Sequence, residues 1–139
     1  MKIFAAIVLA VSLSGCATVT NLYESYFMAK YDTSEHSLVN KIKVHSELSK
    51  PLCANHESSK SSAENIFILS SELKNFSNNL PNNDATVKMT DLLFVLTDEF
   101  NKRYQTNPTV NKTYCELKLQ SISDSAKTIQ KVIAKRPRS

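Results

Sequence analysis

The chain contains one glycine, Gly15, in 139 residues. Every later position carries a Cβ, so the residue that most readily supplies tight hairpin turns and left-handed caps is missing from residues 16–139. An all-β fold is thereby disfavoured, because each hairpin would need a substitute for glycine. Helices joined by short polar connections are the architecture that such a composition permits.

The first sixteen residues, MKIFAAIVLAVSLSGC, form a separate unit. Lys2 supplies a short basic start, Ile3 to Val11 an unbroken apolar run, and Leu13-Ser14-Gly15-Cys16 a small-residue end, which is the layout of a secretory signal. The apolar run is about half of the roughly 20 residues that a helix needs to cross a bilayer. Leu13 to Cys16 resemble the lipobox of bacterial lipoproteins. The resemblance covers residues 1–16 only and implies cleavage of residues 1–15 as a lipoprotein signal peptide, followed by lipidation of Cys16. It also implies a membrane-anchored mature chain whose acyl chains, palmitate among them, contribute about 0.8 kcal/mol per buried CH₂. In that class an aspartate after the cysteine favours inner-membrane retention. Ala17 stands there instead, so the implied localisation is the cell envelope, at an outer membrane, facing the periplasm.

Residues 16–139 suffice for one domain with a modest core and are too few for two. Their charge is uneven: residues 16–126 hold 11 Lys or Arg against 13 Asp or Glu, whereas residues 127–139 hold five basic residues and no acid. Lys127, Lys131, Lys135, Arg136 and Arg138 close the last predicted helix, where cations complement the negative end of the helix dipole. Their functional reading is attraction to anionic lipid headgroups or wall polymer. An exported chain meets little nucleic acid, so none is expected as a partner.

Four stretches carry helical periodicity. The first spans about Val19 to Leu48, with an open choice between a bend and a break at Asp32, where Glu35 completes a capping-box spacing. The second spans about Ser61 to Asn79, with Ile66, Leu69, Leu73, Phe76 and Leu80 on one face. The third spans about Asp84 to Gln105, with Asp84 as N-cap and Met89, Leu92, Leu93, Leu96, Phe100 and Tyr104 apolar. The fourth spans about Thr109 to Ala134, through Cys115, Leu119, Ile122, Ala126, Ile129 and Ile133. The Asn-rich stretch around Pro81 reads as a turn. The expected fold is all-α: an antiparallel up-down bundle of about four helices with one disulfide. The expected layout is a juxtamembrane segment over 16–31, helical, a bundle domain over 32–134 and a basic tail over 135–139. A three-helix hairpin with a long first arm is the competing topology.

Three cysteines become a pair once Cys16 carries lipid, and in an oxidising compartment Cys53 and Cys115 should bond to each other. The up-down topology agrees, because the connection holding Cys53 and the start of the fourth helix fall at the same end. A loop of about 60 residues closed in this way is worth roughly 4 kcal/mol in the chain-entropy model.

Catalytic patterns are weak. His36 and His45 lie nine positions apart, on nearly opposite faces of a straight helix, and cannot share a metal. Cys53 and His56 have a metal-like spacing, but the disulfide consumes the thiol. There is no Gly-x-Ser-x-Gly elbow and no phosphate-binding glycine loop. No catalytic residue, metal or cofactor is assigned. Tyr23, Tyr26, Phe27 and Tyr31 follow the lipid site closely and suit either the bundle's first core turns or the membrane interface. The function expected is that of a non-enzymatic protein-binding module of the immunity, exclusion or inhibitor type, with another envelope protein as its partner. Two alternatives are a structural envelope tether that grips wall or anionic lipid through its basic tail, and a metal carrier or enzyme accessory.

Overall fold

The computed structural model describes residues 28–138. Four helices follow one another: α1 (Thr33–Ser49), α2 (His56–Asn79), α3 (Asp84–Thr106) and α4 (Lys112–Ala134), with a 3-10 turn over Lys50–Ala54 between the first two. Each helix packs against its two neighbours in a ring, α1 against α2 and α4, and α3 against α2 and α4. Cross-links of descending register make the neighbours antiparallel. Glu35 meets Arg136 and Glu47 meets Ser123 across α1 and α4, while Lys74 meets Asp91 and Phe67 meets Phe94 across α2 and α3. The up-down bundle expected from the short connections is the fold.

Helix boundaries follow from local chemistry. Asp32, in extended geometry, accepts from the backbone N–H groups of Ser34 and Glu35 at 2.8 and 2.9 Å and starts α1. This corrects the expectation of a helix running through Tyr31: residues 28–32 are not helical. Their backbone is paired elsewhere, with Ala29 N–H on Asn82 O at 3.0 Å and Tyr31 N–H on Pro137 O at 3.1 Å. Asn55 caps α2 six residues before the Ser61 start read from sequence, accepting from Ser58 N–H. Asn111 caps α4 through Thr113 and Tyr114. Asp84 lies in the first turn of α3, with Asn83 before it. In the turn that reverses the chain between α2 and α3, Asn82 adopts φ 57°, a left-handed position that asparagine tolerates where glycine is lacking.

The buried seam is stricter than apolar residues alone reveal. On α2 the buried positions are Ser59, Ala63, Ile66, Ser70, Leu73 and Ser77; on α3 they are Thr86, Thr90, Leu93, Thr97, Phe100 and Tyr104. On α4, Cys115, Leu119, Ile122, Ala126, Ile129 and Ile133 keep the same alternation of four and three. That is a heptad seam, with a mean period of 3.5 residues, typical of left-handed bundles. Small hydroxyl residues hold many of its positions. They are compatible with a dry interior because their hydroxyls return to nearby carbonyls, Ser46 to Ile42 O at 2.7 Å and both Ser70 and Thr97 to carbonyls three residues back at 2.9 Å. Ser70 and Thr97 also hydrogen-bond each other across α2 and α3.

Cys53, in the 3-10 turn, and Cys115, in the first turn of α4, form a disulfide with their Cα atoms 5.7 Å apart at a sequence separation of 62. The bond closes one end of the bundle. The other end is closed by the strap of residues 28–32, the 80–83 turn and the C-terminal segment.

Candidate functional site

Two surfaces carry unusual chemistry. The first is a groove between α3 and α4. At one end of this seam Glu99 pairs with Lys118 at 3.2 Å and Arg103 lies over the Tyr114 ring at 5.5 Å; at the other, Arg136 reaches Thr86. Between these ties the large side chains of α3 face small ones of α4, Ser125 and Thr128, and a hollow of about 440 Å³ opens. Leu93 and Ile129, both buried, form its floor. Its walls include Leu92, 72% exposed, and Val95, 51% exposed. The expectation that Leu92 belongs to the core is corrected here. Thr90, Leu93 and Thr97 occupy the seam, which turns Leu92 outward.

The second surface is the end closed by the strap. Its interior is a buried polar network. The Arg136 side chain, expected at an anionic surface, is instead buried: Nη1 donates to Glu35 Oε2 at 2.5 Å, and Nη2 donates to Asn83 Oδ1 and Thr86 Oγ1, each at 2.5 Å. Glu35 Oε1 accepts from Ser77 Oγ at 2.6 Å and from Asn83 Nδ2 at 3.0 Å. Fully partnered, these groups meet the requirement for burying charge. Arg136 is therefore a structural tie. The C-terminal segment does not project freely either, because Pro137 O accepts from Tyr31 N–H and the Arg138 guanidinium lies 4.8 Å from the centre of the Tyr31 ring.

The other expected residues divide. Lys127, Lys131, Lys135 and Arg138 are exposed. Tyr31 is half-buried beside His36, 5.6 Å between ring centres, and packs on the core from outside it. Cys16, Tyr23, Tyr26 and Phe27 lie outside the described residues, as does the signal segment. The beginning and end of the bundle share one end of the molecule, where Tyr31 N–H meets Pro137 O.

Near the disulfide, His56 and Tyr104 place their rings 5.4 Å apart, and the His56 Nδ1 and Tyr104 hydroxyl are buried without a well-formed hydrogen bond. Burial pushes the Tyr104 phenol above its ordinary value of 10, against a lowering by the neighbouring Ser59 hydroxyl. Among the described residues no three His, Cys, Asp or Glu side chains are placed to hold a metal ion, and no helix is long and apolar enough to cross a membrane. Set against protein-family models, curated proteins and solved structures, the chain matches none.

Proposed function

We propose that this chain is a lipid-anchored envelope protein, held through Cys16 at the periplasmic face of an outer membrane, that acts as a non-enzymatic binding module. The single observation supporting it is the α3–α4 groove, with Leu92 and Val95 held in water beside a packed floor of Leu93 and Ile129. Covering either side chain would gain on the order of 1–2 kcal/mol. The partner that fits is another envelope protein presenting a short row of apolar side chains, since the groove's apolar wall runs from Met89 to Leu96, about 10 Å along the helix at 1.5 Å per residue. Ser125 and Thr128 offer polar contacts along the opposite lip.

The test places a photo-cross-linking residue at position 92 and, as control, at exposed Asn65 on α2, in cells of the native host. A single envelope protein captured from position 92 and not from 65, which then binds the purified wild type and not Leu92→Asp, supports the reading. Equal capture from both positions, or binding indifferent to Leu92→Asp, overturns it. Mass determination of the membrane-extracted protein checks the anchor separately.

A further inference from the structure

The strap end of the bundle gathers charge and apolar surface in a way that the buried network does not require. Lys30, Lys135 and Arg138 are all exposed, and each lies within two residues of the contacts that tie strap to C-terminal segment, Tyr31 N–H to Pro137 O and Lys30 O to Arg136 Nη1. Between the strap and the 80–83 turn is a hollow of about 300 Å³ lined in part by Met28, Leu80 and Pro81, with Met28 40% exposed. The acids at this end are Asp32, whose Oδ1 is occupied in capping α1, Asp84 in the first turn of α3, and Glu35, which is buried against Arg136. The exposed charge is thus in cationic excess, with Lys30, Lys135 and Arg138 against exposed Asp84 and half-buried Asp32, beside the apolar Met28, Leu80 and Pro81.

We infer that this end is a seat for an anionic phospholipid surface, with Lys30, Lys135 and Arg138 meeting headgroup phosphates and Met28 reaching the headgroup–acyl boundary. The orientation rests on the anchored reading above. Twelve residues before Met28 in sequence stands Cys16, so the segment that leads to the anchor leaves the bundle from the end that carries these cations. Cations near an anionic leaflet are each worth roughly a fivefold gain in partitioning. A protein partner is the less suitable occupant, because the hollow, about 300 Å³, is smaller than the α3–α4 groove and is flanked by the exposed cations. The α3–α4 groove, opening on the side of the bundle, then remains free for a protein while the end rests on the bilayer.

The experiment uses residues 16–139 with Cys16→Ser, which contain the whole described bundle and carry no acyl chain, so that any binding belongs to the protein surface. Cosedimentation is measured with vesicles of phosphatidylcholine alone and of phosphatidylcholine with phosphatidylglycerol in equal parts. The expected result is salt-sensitive binding to the mixed vesicles only, weakened at least about 25-fold in Lys30→Glu/Lys135→Glu. The control, Lys60→Glu/Lys112→Glu at the disulfide end, carries the same net charge change and should bind within about twofold of the parent. Thermal melts establish that each variant is folded, and the milder pair Lys30→Gln/Lys135→Gln replaces the first if it is not. No binding to mixed vesicles, equal binding to both compositions, or equal loss in the control pair overturns the inference. None of these outcomes touches the groove or the acylation of Cys16, which are read by cross-linking and by mass.

Discussion

Glu35 and Arg136, 101 positions apart in the chain, form a 2.5 Å ion pair in which both side chains are withdrawn from water. Through Asn83, Ser77 and Thr86 the pair joins α1, the end of α2, the turn, the start of α3 and the C-terminal segment. Removing one partner leaves the other charge buried and alone, so Arg136→Met is expected to cost about 3–5 kcal/mol in urea unfolding. Arg136→Met combined with Glu35→Leu should cost clearly less than the single change, since no orphan charge remains. A single-variant loss below about 1 kcal/mol would show that the network is solvated.

Leu92 and Leu93 are adjacent and chemically identical, yet one is 72% exposed and the other 1%. Leu93→Ala should destabilise by about 2–5 kcal/mol. Leu92→Ser should stay within about 0.5 kcal/mol of the parent. Thermal melts of the two variants decide it, and equal losses would place the α3 seam elsewhere.

That contrast also marks how far the fold was legible before the structure. The helix count, the antiparallel order and the Cys53–Cys115 bond follow from period, glycine scarcity and cysteine arithmetic. The seam of α2 and α3 does not, because serine and threonine are ordinarily surface residues and an apolar count passes over them. Ile66, Leu69, Leu73 and Phe76 have the correct spacing but describe a stripe rotated from the true one, in which Ser59, Ser70 and Ser77 are buried alongside Ile66 and Leu73 while Leu69 and Phe76 are only partly covered. Arg136 was hidden for a similar reason. In a run of five cations, nothing local distinguishes the one whose partner is Glu35, because that partner is long-range. The signal available was Glu35 itself, a capping-box acid whose side chain turns inward to Ser77 and Arg136.

The two buried hydroxyls of Ser70 and Thr97 test whether the polar seam stabilises or merely tolerates its oxygens. With one proton each, one hydroxyl donates to the carbonyl three residues back in its own helix and accepts from the other across the α2–α3 contact. Replacing both, Ser70→Ala with Thr97→Val, removes the partners together and should change stability by less than about 1 kcal/mol. Ser70→Leu should cost about 1–3 kcal/mol by overpacking the α2–α3 contact. If the double variant instead loses as much as Ser70→Leu, the hydroxyl pair is a net stabilising element.

Reduction should expose how much the bundle depends on its pinned end. The bond spans 62 positions, and the chain-entropy model assigns a loop of that size roughly 4 kcal/mol, a large fraction of a small domain's 5–15 kcal/mol. Cys53→Ala/Cys115→Ala is therefore expected to lower the urea midpoint substantially while keeping the helical circular dichroism signal. Full helicity with an unchanged midpoint would mean that the 3-10 turn is held by packing alone.

Tyr104 sets an alkaline limit. Burial raises its phenol above 10 in the folded chain, whereas the unfolded chain titrates at the ordinary value. The folded state therefore binds the proton more tightly. The stability this provides is complete below pH 10 and is lost as the pH climbs through the raised folded value, since the phenolate must form in a site that disfavours it. Tyr104→Phe removes the titration and leaves the ring's edge-on contact with Phe100 in place, at 5.3 Å between centres in the parent. Because the hydroxyl lacks a well-formed hydrogen bond, its removal at neutral pH should cost no more than about 0.5 kcal/mol. The readout is the difference between parent and variant, in which every effect common to both proteins cancels. That difference should be flat to about pH 10 and should favour Tyr104→Phe increasingly above it. A constant difference across the range would mean that water reaches the phenol in the folded protein.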